Sequence, residues 1–414
     1  MSSDINDYHF YFSYPDNKKN WDKTIESFAR GKFRTFYMRR KYSLRELFEM
    51  VEKKLKIPKS NFDLSKLPKI VSEFGCWGLP DPSLFVGDWF KYPIFDGKSV
   101  SDFIKEFEEL YYRTPSEMAV DSQWKEFQTL KYEIESMRIH PEIAGYVLTE
   151  LSDISWEANG VLDFDRNPKV FAPYLKWLNL DLLPIYRNGM IYISNVSSTD
   201  LRCRVIAKLD GEKILDEKLT VKSFDVWKRR LDFEGGGLLD LEILDEQGRT
   251  VGRNFYNLVR WKKVKFSVQK GIKANILKRV ENGETILVQL NEEGEYLDGK
   301  VRVYSSKTPA FGFDSHWANW SGDWIGAFYY YHPSLIDLLS PYLGGMELSD
   351  LLGDKIIISE EGKILIGKYI GWNMAKCGYL VEIKFGKGRL LLATLKLEDT
   401  ELGKKIIERL KIQE

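Results

Sequence analysis

The residues best placed to do chemistry are Ser72-Glu73-Phe74-Gly75-Cys76-Trp77-Gly78-Leu79. The approach to them, Pro68-Lys69-Ile70-Val71, is a short apolar run behind a proline, the pattern of a buried parallel strand. A carboxylate at the mouth of such a strand, followed by Gly75 and Gly78, is poised over a cleft. Trp77 supplies an aromatic wall suited to the apolar face of a sugar ring. The alternative is a solvated Glu73 with a purely structural role, and the motif by itself does not separate the two.

The elements that must position these residues follow from periodicity. Residues 1–170 alternate strand-like and helix-like segments: a strand at Ile5 to Phe12, a helix at Trp21 to Arg30, then a helix opened by the capping box Ser43-Leu44-Arg45-Glu46. After the Glu73 strand come a helix with Phe103, Phe107 and Leu110 in register, a longer one from about Ser122 to Met137, and a strand at Gly145 to Leu151. Strands separated by helices predict parallel βα units. Beyond about residue 180 the period shortens to two, with turn signals at Asp210-Gly211 and Gly235-Gly236-Gly237, which predicts an antiparallel β-sandwich ending near Trp261. Strands and helices mix again from about 264. There Gly386-Lys387-Gly388-Arg389 reads as a tight hairpin rather than a phosphate loop.

Composition narrows the function classes. The chain has 414 residues, with 61 basic and 61 acidic side chains and no formal net charge, so no basic field draws in nucleic acid or a membrane surface. Its three cysteines, Cys76, Cys203 and Cys377, lack CxxC spacing, and only four histidines are present, so neither a metal centre nor a cofactor is expected. The N-terminus has no charged-then-apolar leader and no apolar run is of membrane-spanning length; a cytoplasmic location is the expectation. Twelve tryptophans suit carbohydrate handling, and equally a large β-rich core.

Three separated segments share an order: Asp7-Tyr8-His9-Phe10-Tyr11, the Glu73 motif, and Gly145-Tyr146-Val147-Leu148-Thr149-Glu150-Leu151-Ser152-Asp153, which continues through Trp156 and Gly160 to Arg166-Asn167-Pro168-Lys169. In this order they resemble the last third of the catalytic barrel of glycoside hydrolase family 2, whose members include β-galactosidases, β-mannosidases and β-glucuronidases. The resemblance covers roughly residues 4–260, because the sandwich is similar to the family's immunoglobulin-like domain after the barrel. It implies strands six to eight of a (β/α)8 barrel over 1–175, an immunoglobulin-like β-sandwich over 176–262, and an α/β accessory domain over 263–414, distantly similar to an amidotransferase or flavodoxin-like layer.

What the resemblance implies chemically is a retaining β-glycosidase. Glu73 becomes the nucleophile that forms a glycosyl-enzyme, assisted by a carboxylic acid ~5 Å away. Tyr11 matches a tyrosine that hydrogen-bonds the nucleophile, with a core aromatic as the alternative. His9 and Trp77 line the substrate, His9 with packing as an equal alternative. Trp156 matches a sugar-stacking tryptophan or has a structural role, and Asp153 holds neighbouring loops rather than meeting substrate.

The family's acid/base is a Glu directly after an Asn, upstream of the nucleophile. The only Asn-Glu here, Asn291-Glu292, lies downstream, so no acid/base is assigned in this chain. A complete barrel takes about 250 residues, so the resemblance implies a C-terminal portion of such an enzyme, inactive as a lone chain, or a catalytically inactive carbohydrate-binding or assembly remnant. Strands with open outer edges predict a separate polypeptide carrying strands one to five, or oligomers, aggregates, or a disordered first 170 residues. Asn159-Gly160-Val161 lacks the lysine of the glucuronide clamp, and Asn167-Pro168-Lys169 fits the letters but sits later, on a stretch that other members share; this disfavours glucuronides and leaves galactoside and mannoside open. Asp314-Ser315-His316-Trp317 shows no nucleophile elbow. The aromatic cluster of Trp317, Trp320, Trp324 and Tyr329 to Tyr331 is expected to pack or to contact a subunit rather than bind glycan.

Overall fold

The computed structural model describes residues 5–11, 18–32, 49, 66–81, 114–154, 158–233, 237–258, 268–305, 327–339, 351–353, 355–370, 375–397 and 401–410. Of the helix expected from Ser43 only Glu49 is described, as helical, and the helix expected around Phe103 lies outside the described residues. So do Asp314-Ser315-His316-Trp317, Trp320 and Trp324.

The first unit is built from β1 (Asn6–Tyr11), α1 (Lys18–Ala29), β2 (Lys69–Gly75), α2 (Pro115–Arg138) and β3 (Ile143–Leu148). The strands pair in the order β1-β2-β3, both ladders parallel. Chain-adjacent strands paired in parallel are what consecutive βα units produce. Trp21, Ile25 and Phe28 recur at helical spacing on α1 and, with Phe127, Leu130, Ile134 and Met137 of α2, bury Val71 and Phe74 of β2.

Helix α2 starts at Pro115, two turns before the position that apolar periodicity suggests. Thr114 caps it, its hydroxyl accepting the Glu117 N–H at 3.1 Å, and Pro115 fills the first helical position where no N–H is needed. The first two turns, Pro115 to Asp121, set polar residues beside the run Met118-Ala119-Val120, of which Met118 and Ala119 are buried. The start signal is Thr114-Pro115.

After the short helix α3 (Leu175–Leu178) come β4 (Leu182–Arg187), β5 (Met190–Asn195), β6 (Leu201–Leu209), β7 (Glu212–Val221), β8 (Asp225–Arg230), β9 (Gly237–Leu244) and β10 (Thr250–Leu258). They form two antiparallel sheets, β4-β5-β8 and β10-β9-β6-β7. Ile191 and Ile193 of one face Val205, Ala207, Leu239, Leu241 and Ile243 of the other across a shared core. The expected turn at Asp210-Gly211 joins β6 to β7, both residues at positive φ (49° and 86°) as a two-residue hairpin requires.

The C-terminal unit holds β11 (Gln269–Lys270), α4 (Ala274–Glu281), β12 (Thr285–Gln289), β13 (Gly294–Tyr296), β14 (Val301–Ser305), β15 (Ala327–Tyr331), α5 (Pro333–Leu339), β16 (Lys355–Ile358), β17 (Lys363–Ile370), β18 (Ala375–Phe385), β19 (Gly388–Ala393) and α6 (Glu401–Arg409). These strands make one mixed sheet. Leu390 and Leu392 of β19 bury against Val280 of α4, and Leu391 and Ala393 face the core that holds Leu335 of α5 and Ile406 of α6. Among the described residues, parallel pairing of the kind a flavodoxin-like layer uses is confined to β11, β12 and β19, and the other ladders of this unit are antiparallel. The Gly386-Lys387 turn joins β18 to β19 as a tight hairpin.

Helix α2 joins the units. Arg138, buried in its last turn, donates to Ser194 Oγ (3.0 Å) and to the carbonyls of Leu178 (3.4 Å), Leu180 (3.0 Å) and Asp181 (3.1 Å). Glu135 accepts from Asn254 Nδ2 (2.7 Å) and the Tyr256 hydroxyl (2.8 Å). On the other side, the Lys125 ammonium sits 5.8 Å from the Tyr329 ring of β15. Tyr329, Tyr330 and Tyr331 are buried, so this part of the aromatic cluster packs. The chain is thus mixed α/β and mostly strand, with a curled half-barrel sheet.

Candidate active site

Glu73 sits near the C-terminal end of β2, the central strand of the parallel sheet. The β1–β2 register places His9 directly beside it, and the ladder shifts between Tyr8 and His9. His9 Nδ1 lies 3.1 Å from Glu73 Oε2, with side chains 53% and 41% exposed. This carboxylate therefore keeps access to solvent while an imidazole orients one of its oxygens. Such a group can act as a nucleophile or a base on a ligand arriving at the strand ends.

The other candidates fall into place unevenly. Tyr11 pairs with Gly75 in the β1–β2 ladder, at the same end of the sheet as Glu73; its side chain is outside the described residues. Trp77 is half-buried in the turn that follows β2. Trp156 lies outside the described residues. Among the described residues no group of three or more His, Cys, Asp or Glu side chains is placed to hold a metal ion, and no helix is long and apolar enough to cross a membrane.

Beneath the strand ends lies a polar nest built from three segments. Helix α2 latches the turn after β2 at Leu79, whose N–H donates to Ser122 Oγ (2.7 Å) and whose carbonyl accepts from Gln123 Nε2 (3.0 Å). The fully buried Lys169 ammonium contacts Asp153 Oδ1 (2.9 Å), Glu126 Oε2 (3.1 Å) and the carbonyls of Gly78 and Ala158 (3.0 Å each). Asp153 also accepts the Gly160 N–H at 2.7 Å. It holds loops together, as the sequence suggested for it.

Burial dominates the electrostatics of this nest. It pushes the Asp153 carboxyl up to about 6, although Lys169 and the Gly160 N–H pull the other way. Burial likewise drives Glu126 well above the usual carboxylate range, against the opposing pull of Lys169. For Lys169 burial acts downward, but Glu126 and Asp153 together outweigh it and hold the ammonium above its ordinary value. One ammonium thus faces two carboxyls that both resist ionisation, and the cation is the fixed charge of the nest.

Sequence reasoning missed Glu126, and it named Lys169 only as the end of the third segment, without this role. A usable signal existed, since Glu126 and Glu133 recur on the same helical face as Leu130 and Met137, where charges are costly unless paired.

No protein-family model and no curated protein matches the sequence. Among solved structures, a β-D-mannosidase from Dictyoglomus thermophilum is 14% identical, over 50% of this chain and 29% of its own, with a TM-score of 0.35. The Amycolatopsis orientalis exo-chitosanase CsxA is 17% identical over 50% of this chain and 29% of its own, TM-score 0.31. A Bacteroides uniformis β-glucuronidase is 15% identical over 72% and 34%, TM-score 0.19. These neighbours are glycoside hydrolases at low identity, and the chain spans about a third of their length or less. Overlap of this extent assigns neither family nor activity.

Proposed function

We propose that this chain carries the nucleophile half of a retaining β-glycosidase of the glycoside hydrolase family 2 type, with Glu73 as the nucleophile. The observation that carries the reading is the Glu73 carboxylate at the end of the central parallel strand, solvent-accessible and held at 3.1 Å by His9. In this reading His9 and Trp77 line the sugar site, Tyr11 and Trp156 complete it, the parallel sheet is a barrel segment and the sandwich is immunoglobulin-like. The substrate is a galactoside or a mannoside, since the lysine of a glucuronide clamp is missing beside Asn159.

The test is labelling with a mechanism-based glycoside fluorinated beside its anomeric carbon. Such a reagent slows deglycosylation and leaves the sugar on the nucleophile. The expected result is an adduct on the peptide containing Glu73. An adduct on another carboxylate, with Glu73→Gln reacting as the parent does, overturns the assignment.

A second reading, carbohydrate binding without turnover, is favoured by the position of the chain's one Asn-Glu, Asn291-Glu292. It follows β12 in the C-terminal sheet, downstream of Glu73. Loss of a general acid costs typically ~10²–10⁴-fold. The purified chain is therefore expected to bind glycosides while leaving natural disaccharides intact. Robust turnover by the chain alone would point to an acid supplied by Glu150 or Glu157.

A further inference from the structure

We propose that Lys169 is a positioning residue that fixes the Trp77 turn against the loop following β3, and so sets the aromatic wall relative to Glu73. The proposal rests on the reading of Glu73 and Trp77 as the site. Its support is the geometry of a single buried ammonium that gathers oxygens from three separate segments.

Gly78 and Ala158 are held twice. Lys169 Nζ donates to both carbonyls at 3.0 Å, and the Gly78 N–H donates to the Ala158 carbonyl at 2.9 Å. Gly78 directly follows Trp77, so the indole is one residue from a carbonyl pinned by the lysine. The second pinned carbonyl, at Ala158, closes the loop in which Asp153 and Gly160 are themselves bonded. Glu126, the helix α2 partner, presses so close to the turn that a Cβ on Gly78 would come within 2.2 Å of its Oε2. Only glycine lets the chain pass there, and the lysine draws helix, turn and loop onto one point. A buried cation with four oxygen neighbours has little freedom to move. Removing it would take the lysine donor from Glu126 and the Gly78 carbonyl, and would leave Asp153 and the Ala158 carbonyl with one backbone N–H each.

The chain contains its own reporters for the test. Its three free cysteines are all buried, with Cys76 beside Trp77, Cys203 in the sandwich and Cys377 in the C-terminal sheet. Modification of a buried thiol reads the population of the locally opened state. The experiment is N-ethylmaleimide labelling of the full chain, site by site, by peptide mass spectrometry, comparing the parent with Lys169→Met. The expected result is a Cys76 rate about 100-fold higher or more, with Cys203 and Cys377 unchanged. An unchanged Cys76 rate overturns the proposal. A rise shared by all three cysteines also overturns it, because that is what a merely structural lysine gives.

If Lys169→Met does not fold, Asp153→Asn is the second variant. It keeps an oxygen for Gly160 but weakens the hold on the ammonium, and a selective rise at Cys76 of about tenfold is expected by the same readout. For the sugar site, the glycoside concentration giving half-maximal labelling of Glu73 should rise about tenfold in these variants, with the saturating rate little changed. A loss confined to the saturating rate would mean that Lys169 acts on Glu73 instead, and overturns the positioning role. Absence of labelling in the parent chain would remove the glycosidase reading while leaving the cysteine result to decide whether Lys169 fixes the turn.

Discussion

His9 and Glu73 are neighbours in the β1–β2 ladder, and their side chains meet at 3.1 Å on the solvent side of the strand ends. Two consecutive parallel strands thereby present an imidazole and a carboxylate as one unit, and the irregularity between Tyr8 and His9 sets which β1 residue faces Glu73. The pair is held by backbone register, so either side chain can be exchanged without disturbing the ladder.

That separation makes the site testable by substitution. His9→Ala should slow labelling of Glu73 by the fluorinated glycoside about 10- to 100-fold, the range of one hydrogen bond to a charged group. Glu73→Gln should abolish the adduct, and both proteins should keep the parent's unfolding midpoint. A His9→Ala protein that labels at the parental rate would mean the imidazole only packs there.

The parallel sheet and two hairpins of the later sheets were legible in the sequence because their signals are local. Apolar runs, helical spacing in Trp21, Ile25 and Phe28, and the Asp210-Gly211 and Gly386-Lys387 turns each act over a few residues. The Lys169 nest was not legible. Glu126, Asp153 and Lys169 lie on a helix, on a loop and beyond that loop, and only tertiary folding makes them partners. The strand directions of the C-terminal sheet were equally hidden, since β19 takes β12 as a parallel neighbour from far along the chain. Only its other neighbour, β18, is dictated by a local turn.

The nest also gives the protein a pH signature. Asp153 has a folded value of about 6 against an ordinary 3.8. A raised value means the folded state binds the proton more tightly, so the stability it contributes is fully present below about pH 4 and is lost as pH rises through 6. Lys169, raised from 10.5, adds no slope in this window. We therefore expect Asp153→Asn to be the less stable protein at pH 4, with its deficit shrinking by up to about 3 kcal/mol between pH 4 and pH 7. The measurement is the urea midpoint for exposure of Cys76 in each protein across that range. A difference that stays flat with pH, or runs the opposite way, would falsify the burial-driven shift.

Arg138 makes a separate prediction about how the units move together. Its guanidinium satisfies the carbonyls of Leu178, Leu180 and Asp181, which are on the approach to β4, and a hydroxyl on β5. Arg138→Met leaves those acceptors without their donor and should lower stability by about 3 kcal/mol. The effect should appear as a split. In the parent, urea is expected to expose Cys76 and Cys203 in one transition; in the variant the two should separate, with Cys76 opening first. Arg138→Lys, with a single ammonium in place of the fork, should fall between them. Coincident transitions in Arg138→Met would show that Glu135, Asn254 and Tyr256 suffice to couple the sheet to the sandwich.

The last prediction concerns the outer side of β3, a terminal strand of the three-stranded sheet as described. Val147 on β3 is 54% exposed, and Leu151 and Ile154 just beyond it are also exposed. Apolar side chains beside a strand edge form a surface to which another strand can add, by backbone pairing and apolar contact together. The chain is therefore expected to associate through this side, with a second copy or with a polypeptide that supplies further strands. Replacing Val147 and Leu151 by lysine puts two like charges on that surface, a device by which natural edge strands resist pairing. In sedimentation velocity, the parent's weight-average coefficient should rise with concentration, and that of the double variant should stay at the monomer value. Thermal unfolding should be unchanged, because neither side chain contributes to the core. If the double variant associates as the parent does, the contact lies elsewhere, and the β1 side, where Ile5 is exposed, becomes the surface to test.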